Sequence, residues 1–267
     1  MREAESSSQP PLVVKTQHDG VCSLLLNRGE RYNPLSMGMI AALQAEMDAM
    51  AKDPTVRVVV LAGAGKGFCA GHDLKEMLAH AGDTAWQRKL FDDCSRLMMT
   101  LTRLPQPVIA RVQGVATAAG CQLVASCDLA VAAEAATFAL PGVSIGVFCS
   151  TPAVAVARTI SRKRTMEMLL TGQMISAQTA LAWGLVNRVV SSEQLDSAVR
   201  HFTEIVLARS SAVIRLGKQT FYRTIDQAAE SAYEHASESM VCNLSMEDAA
   251  EGIQAFLGKR QPVWRGR

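Results

Sequence analysis

Two stretches of this chain share one design, and that design limits the fold more than any other feature. Val56 to Leu61 is an apolar run, interrupted only by Arg57, that leads straight into Ala62-Gly63-Ala64-Gly65-Lys66-Gly67-Phe68-Cys69-Ala70-Gly71, and Asp73 then opens a helical stretch. Pro107 to Val112 repeats it: a strand, then Gly114-Val115-Ala116-Thr117-Ala118-Ala119-Gly120, then a helix around Leu123 to Ser126. An apolar run bounded by turn residues, without alternation, reads as a strand buried on both faces, which needs covering layers above and below. The 267 residues and 49% hydrophobic content supply enough chain and core for that. An α/β fold is expected.

The rest of the chain fits around these units. Residues 1–11 are polar, end in Pro10-Pro11 and read as a flexible tail. Leu12 to Lys15 and Val21 to Leu26 flank His18-Asp19-Gly20, a hairpin signal. Asn27 to Ser36 is a loop by its Gly, Asn and Pro content. Ser36 is placed to cap a helix running to Met50, with Met39, Ile40, Leu43, Met47 and Met50 on one face. Short strands are expected at Leu129 to Ala132 and Thr137 to Leu140, and almost unbroken helix from Gly146 to about Gly258. The division expected is a tail over 1–11, a core over 12–200 and a helical region over 201–267.

Charge and cysteine usage exclude several functions. Lysine plus arginine number 27 against 25 acids, a net charge of +2, which argues against a phosphate-tracking nucleic-acid binder. No apolar stretch reaches the roughly 18 residues of a membrane span. The start, Met1-Arg2-Glu3-Ala4-Glu5-Ser6, resembles neither a signal nor a transit peptide. Seven scattered cysteines without a C-x-x-C pair read as reduced, mostly buried thiols, so a cytoplasmic location is expected. His72 stands alone in its turn, with no second ligand at metal spacing, so no metal is expected.

Two catalytic patterns are set aside. Gly142-Val143-Ser144-Ile145-Gly146 matches a nucleophile elbow, and Ser144, Asp196 and His201 follow in hydrolase order. An elbow needs a helix directly after its serine, and Gly146 and Pro152 break the stretch that follows. Gly65 to Ala70 loosely matches a dinucleotide fingerprint, but the next clear strand begins only near Pro107.

The two glycine-rich turns suggest a different chemistry. Each lies between a strand end and a helix start, where the first helical N–H groups lack partners and the helix dipole is positive. Two such turns side by side aim two N–H donors at one oxygen, an oxyanion hole. The same turns serve equally well as tight corners packed for geometry alone.

Longer motifs resolve that choice. Phe68-Cys69-Ala70-Gly71-His72-Asp73-Leu74-Lys75-Glu76-Met77 and Leu26-Asn27-Arg28-Gly29-Glu30-Arg31-Tyr32-Asn33-Pro34-Leu35 resemble two signatures of the enoyl-CoA hydratase/isomerase (crotonase) family. So do Gln113-Gly114 through Gly120-Cys121-Gln122-Leu123 with Cys127-Asp128-Leu129, the linker Leu170 to Val186, and Glu251-Gly252-Ile253-Gln254-Ala255-Phe256-Leu257-Gly258-Lys259-Arg260. The matches run in order from about residue 12 to 264. The resemblance implies a crotonase fold, a spiral of ββα units forming two roughly perpendicular sheets, with C-terminal helices whose spare apolar faces (Phe202, Ile205, Val206; Phe256, Leu257) build a homotrimer or a hexamer of paired trimers. It implies an acyl-CoA thioester as ligand and no cofactor beyond coenzyme A as part of the substrate. The oxyanion donors it implies are the backbone N–H groups of His72 and Ala119. Coenzyme A would lie along Arg31, Tyr32, Pro34, Ala70, His72, Asp73 and Leu74, with Phe256 and Lys259 of a neighbouring subunit at its adenine and phosphate end.

The chain departs from the family where protons move. The two glutamates of the family's hydratases fall at Gln122 and Gly142, and neither residue transfers a proton at neutral pH. Poor hydratase activity is therefore expected. The alternatives are another acyl-CoA reaction with a base not yet identified, or an acyl-CoA binder without turnover. Cys149, near the expected acyl pocket, reads as a packing cysteine rather than a nucleophile.

Overall fold

Asp19 and Gly20 both take positive φ, +46° and +81°, and this tight turn fixes the pairing of β1 (Val13–His18) with β2 (Val21–Leu26) as an antiparallel hairpin. The computed structural model describes residues 10–267. The expected tail lies outside the described residues over 1–9, and the carbonyls of Pro10 and Pro11 accept hydrogen bonds from Arg28.

Ser36 caps α1 (Met37–Met50), its Oγ accepting the Met39 N–H at 3.1 Å, and the five apolar residues named from the sequence are the helix's buried face. Then come β3 (Val58–Gly63), β4 (Gly67–Cys69), α2 (Leu74–Ala79) and α3 (Thr84–Arg103). A second turn of the same spiral follows as β5 (Val108–Val112), β6 (Val115–Thr117) and α4 (Ala119–Ser126). The third brings β7 (Leu129–Ala133), β8 (Thr137–Ala139), a short 3-10 turn over Pro141–Ile145, α5 (Ser150–Thr159) and α6 (Arg162–Thr171).

In each turn the first strand joins one sheet and the second strand joins another. The larger sheet has the order β1-β2-β3-β5-β7 and the smaller β4-β6-β8. Two strands within the stretch expected to be almost unbroken helix complete them. After β9 (Ile175–Ser176) comes α7 (Ala177–Trp183), then β10 (Arg188–Val190); β10 adds in parallel to β7 and β9 antiparallel to β8. β4 and β6, read from the sequence as parts of glycine-rich turns, are strands as well. At two to three residues each, these four segments carry no periodicity of their own and take their conformation from the strand beside them.

All six residues of β3 are buried, as expected for a strand covered on both faces. Val59, Leu61, Val108 and Ala110 join the main core with α1, α3 and α4. Val58, Val60, Ile109 and Val131 face the opposite way, against Leu195 and Val199 of α8 (Leu195–Leu207). Phe202 and Val206 of α8 pack on this second cluster, which corrects the expectation that they were spare apolar surface for assembly.

The chain ends in α9 (Ser211–Thr224), α10 (Ala229–Leu244) and α11 (Glu247–Leu257). Lys218 on α9 is fastened into the spiral. Its Nζ donates to Asp128 Oδ2 at 2.6 Å and to the carbonyls of Leu101 and Gln106 at 2.9 Å. Tyr222 donates to the other oxygen of Asp128 at 2.9 Å. Among the described residues no helix is long and apolar enough to cross a membrane.

Candidate active site

The two glycine-rich segments fold against each other. Asn33 is fully buried, and its Nδ2 donates to the carbonyls of Ala64, Gly67 and Phe68 at 2.9, 2.9 and 3.1 Å. Gln113 Nε2 donates to the carbonyls of Gly63 and Gly67 at 2.7 and 2.8 Å. Two side-chain amides thus pin the end of β3, the start of β4 and the loop between them. Sequence reasoning had given neither amide a role, because the carbonyls they serve lie some 30 to 50 positions away in the chain.

The second turn closes onto the first where only small residues fit. A Cβ at Gly120 would stand 2.0 Å from the Cys69 carbonyl oxygen. Gly71, at φ +95°, would place a Cβ 2.9 Å from that of Ala118 and 3.3 Å from the Ala119 nitrogen. Ala118 itself sits at φ +49°, ψ −119°, a conformation that ordinarily needs glycine and costs about 1–3 kcal/mol. Its N–H donates to Ala139 at the end of β8, at 2.9 Å, so this strained residue is held from the neighbouring strand.

Two backbone donors are left over at this junction. Leu35 pairs with the strand-like segment at His72, its N–H donating to Gly71 and its carbonyl accepting from Asp73. That pairing uses the Gly71 carbonyl and the Asp73 N–H and leaves the His72 N–H free. Ala119 is the first residue of α4, so its N–H has no intrahelical acceptor. Neither N–H has a hydrogen-bond partner among the described residues.

The side chains around them are buried and underused. The His72 ring meets Phe91 edge to face at 5.5 Å, and its Nδ1 lies 3.3 Å from the Leu35 carbonyl. Burial holds the imidazole pKa below its ordinary value, opposed by the hydrogen bond to Leu35. Gln122, one turn along α4, is 4% exposed, and its Oε1 is buried without a partner. Gly142 lies in the Pro141–Ile145 turn just after β8, where its N–H donates to Cys149 Sγ at 3.3 Å. Burial raises the Cys149 thiol pKa, which agrees with a packing role.

The expected coenzyme A residues of the first loop come together here. The Ala70 N–H donates to the Tyr32 carbonyl at 2.9 Å, while Tyr32 and Leu74 are exposed and Pro34 is buried beneath. Arg31 is committed to Asp73, Nη2 to Oδ2 at 2.7 Å, and Asp73 also caps α2 through Lys75 N and Glu76 N. The exposed Lys66, in the pinned loop, is an additional cation that sequence reasoning passed over. Phe256 and Lys259 lie elsewhere, exposed at the end of α11, and no hydrogen bond joins them to this loop.

The elbow pattern assembles nothing. Ser144 is exposed in the 3-10 turn and Asp196 is paired with Arg111 at 2.5 Å. Among the described residues no group of three or more His, Cys, Asp or Glu is placed to hold a metal ion.

Comparison with known proteins places the chain in a family. The sequence model of the enoyl-CoA hydratase/isomerase family matches residues 16–267. Enoyl-CoA hydratase domain-containing protein 3, mitochondrial, from Rattus norvegicus is 44% identical over 263 residues, covering 98% of this chain and 87% of the relative. The Homo sapiens protein of the same name is 43% identical over 257 residues, 96% of this chain and 84% of its own. A crystal structure of an enoyl-CoA hydratase from Mycobacterium smegmatis superposes with a TM-score of 0.93 at 49% identity, covering 96% of this chain and 99% of that one. That of human enoyl-CoA hydratase domain-containing protein 3 gives 0.92 at 43%, covering 95% and 100%. The Rattus norvegicus and Homo sapiens sequence relatives are mitochondrial by name, which overturns the cytoplasmic location expected from cysteine usage. Buried, reduced thiols suit any thiol-reducing compartment and do not choose among them. The two-sheet spiral is the crotonase fold, and the chain belongs to the enoyl-CoA hydratase/isomerase family, in the branch of enoyl-CoA hydratase domain-containing protein 3.

Proposed function

We propose that this protein binds acyl-CoA thioesters and polarises the thioester carbonyl between the backbone N–H groups of His72 and Ala119. The observation that carries the reading is that pair of unpartnered amides, brought together where Gly71 abuts Ala118 and Ala119. Two N–H donors at one oxygen stabilise the enolate that forms when a proton leaves the α-carbon. Backbone donation is indifferent to the histidine and alanine side chains, so the substitutions there leave the donors in place. With Gln122 and Gly142 where two acids would stand, the reading pairs a working oxyanion hole with poor hydratase turnover.

Coenzyme A lies in this proposal along Arg31, Tyr32, Pro34, Ala70, His72, Asp73 and Leu74. Phe256 and Lys259 reach its adenine and phosphate end from a neighbouring subunit of a trimer, and trimers pair into hexamers. Phe256 and Leu257, 83% and 74% exposed, support that arrangement, since large apolar side chains this open usually meet a partner. Calorimetry with acetyl-CoA tests the reading: saturable binding is expected, weakened by Arg31→Ala and by Lys259→Ala. No detectable heat at millimolar ligand overturns it. Light scattering tests the assembly, and a stable monomer at micromolar concentration counts against it.

A further inference from the structure

We propose that the protein carries a second binding site, at the end of the larger sheet away from the glycine-rich turns, which takes a small organic phosphate ester. The phosphate head sits on a cluster of cations and the apolar body on a wall of prolines. This site does not depend on the acyl-CoA reading.

A cavity of about 310 Å³ lies where the chain enters β3 and β5. It is enclosed by the segment after α1, the start of α9, and Arg265 and Gly266 near the C-terminus. The glycine-rich turns leave the same two parallel strands at their other ends, and the six residues of β3 span about 20 Å.

The whole chain has a net charge of +2, yet this one cavity is lined by Lys52, Arg57, Arg215 and Arg265 against a single acid, Asp53. Like charges gathered in one concavity repel each other, and its low-dielectric walls focus their field on whatever enters. The protein does little to neutralise them. Asp53 is turned to Thr55, accepting from its N–H at 2.8 Å and its hydroxyl at 2.6 Å. Arg57 donates to the carbonyls of Leu207 and Arg209 at 3.4 and 2.6 Å, which fixes the guanidinium without cancelling its charge. Arg265 lies 3.5 Å from Glu247. Lys52 and Arg215 are exposed, and among the described residues their side chains have neither an ion pair nor a hydrogen bond.

Four cations against one acid leave an excess of three, and that excess selects the ligand. A carboxylate brings one negative charge. A phosphate monoester brings nearly two, with three acceptor oxygens that suit guanidinium forks. Much of the remaining wall is apolar and stiff. Pro54, Pro105 and Pro107 line it with locked φ angles, and Ile214 adds to them. Gln106, between two of these prolines, is buried and tied by its Nε2 to the carbonyls of Met50 and Val56 at 2.8 and 3.3 Å. A preformed concavity with apolar walls and a few fixed polar groups is how small-molecule sites are built. Inorganic phosphate would leave those walls uncovered.

The test is calorimetric titration of the full-length protein, at fixed ionic strength, with phenyl phosphate, inorganic phosphate and benzoate. None of these carries the pantetheine or adenine of coenzyme A. Phenyl phosphate is expected to bind saturably and about tenfold tighter than either of the others, the scale of one charge-assisted hydrogen bond. Arg215→Glu and Lys52→Glu replace exposed side chains without structural bonds, and each is expected to weaken phenyl phosphate about tenfold or more. Arg200→Glu, the same charge change on α8, should leave it within about twofold. No saturable binding of phenyl phosphate at roughly 10 mM overturns the site. Benzoate or inorganic phosphate binding as tightly as phenyl phosphate overturns the ligand class. Equal weakening by Arg200→Glu, or weakening by Arg31→Ala in place of Arg215→Glu, overturns the assignment to this cavity.

Discussion

Restoring a glutamate at position 142 will damage this protein rather than revive a hydratase. A Cβ on Gly142 would stand 2.3 Å from the Val147 carbonyl oxygen and 2.9 Å from Cys149 Sγ. The first of these is backbone and cannot swing aside. The loop is drawn tight around that spot, with the Val147 N–H donating to the Gly142 carbonyl at 2.9 Å and the Gly142 N–H donating to Cys149 Sγ at 3.3 Å. Overpacking a closed core position costs about 1–3 kcal/mol, and two disrupted hydrogen bonds add about 1 kcal/mol each. At about 2–4 °C per kcal/mol for a chain of this size, the melting temperature of Gly142→Glu should fall by roughly 6–20 °C. Gln122→Glu is closer in volume and should melt near the parent. Its carboxyl, in a position 4% exposed, will have its pKa pushed up by burial. Since a positioned acid or base contributes about 10²- to 10⁴-fold, the double variant should stay at least about a hundredfold below an ordinary turnover of about 10 s⁻¹ on crotonyl-CoA. Thermal unfolding and the loss of crotonyl-CoA absorbance measure the two quantities. A Gly142→Glu protein that melts within about 2 °C of the parent, or a double variant that turns over at about 10 s⁻¹, refutes the steric argument.

Further expectations concern the supports of the site. Lys218→Met strips Asp128 of its cation while leaving it buried against Val108 N and Tyr222, and should destabilise by about 3–5 kcal/mol in urea unfolding; an unchanged midpoint would show that α9 is not held through this pair. The Arg260 guanidinium, aided by the Val263 N–H, holds the Glu251 carboxyl at about 2 against an ordinary 4.5. Because the folded-state value is depressed, this group's stabilisation is present above 4.5 and is lost as pH falls toward 2. Melting curves of the parent and Glu251→Gln should accordingly differ at neutral pH and converge in acid, whereas a constant gap would contradict the linkage.

Local chemistry alone determined much of this chain. The Asp19-Gly20 turn and the Ser36 cap act through neighbours a few positions away, so β1, β2 and α1 were legible as soon as the residues were read. The buried face of α1 and the double burial of β3 followed from apolar spacing, and the ordered motifs from Leu26 to Arg260 carried the family. Tertiary structure decided what depends on residues far apart in sequence. β9 and β10 are too short to propagate a pattern and become strands because β8 and β7 offer open edges. Phe202 and Val206 looked like spare surface until β3, β5 and β7 stood together to receive them. That positions 122 and 142 lack acids was written in the letters. That Gly142 has no room for one, and that the Gln122 Oε1 is buried without a partner, was not. Both facts depend on which backbone and side-chain atoms folding brings within a few ångströms, and no local pattern records those neighbours.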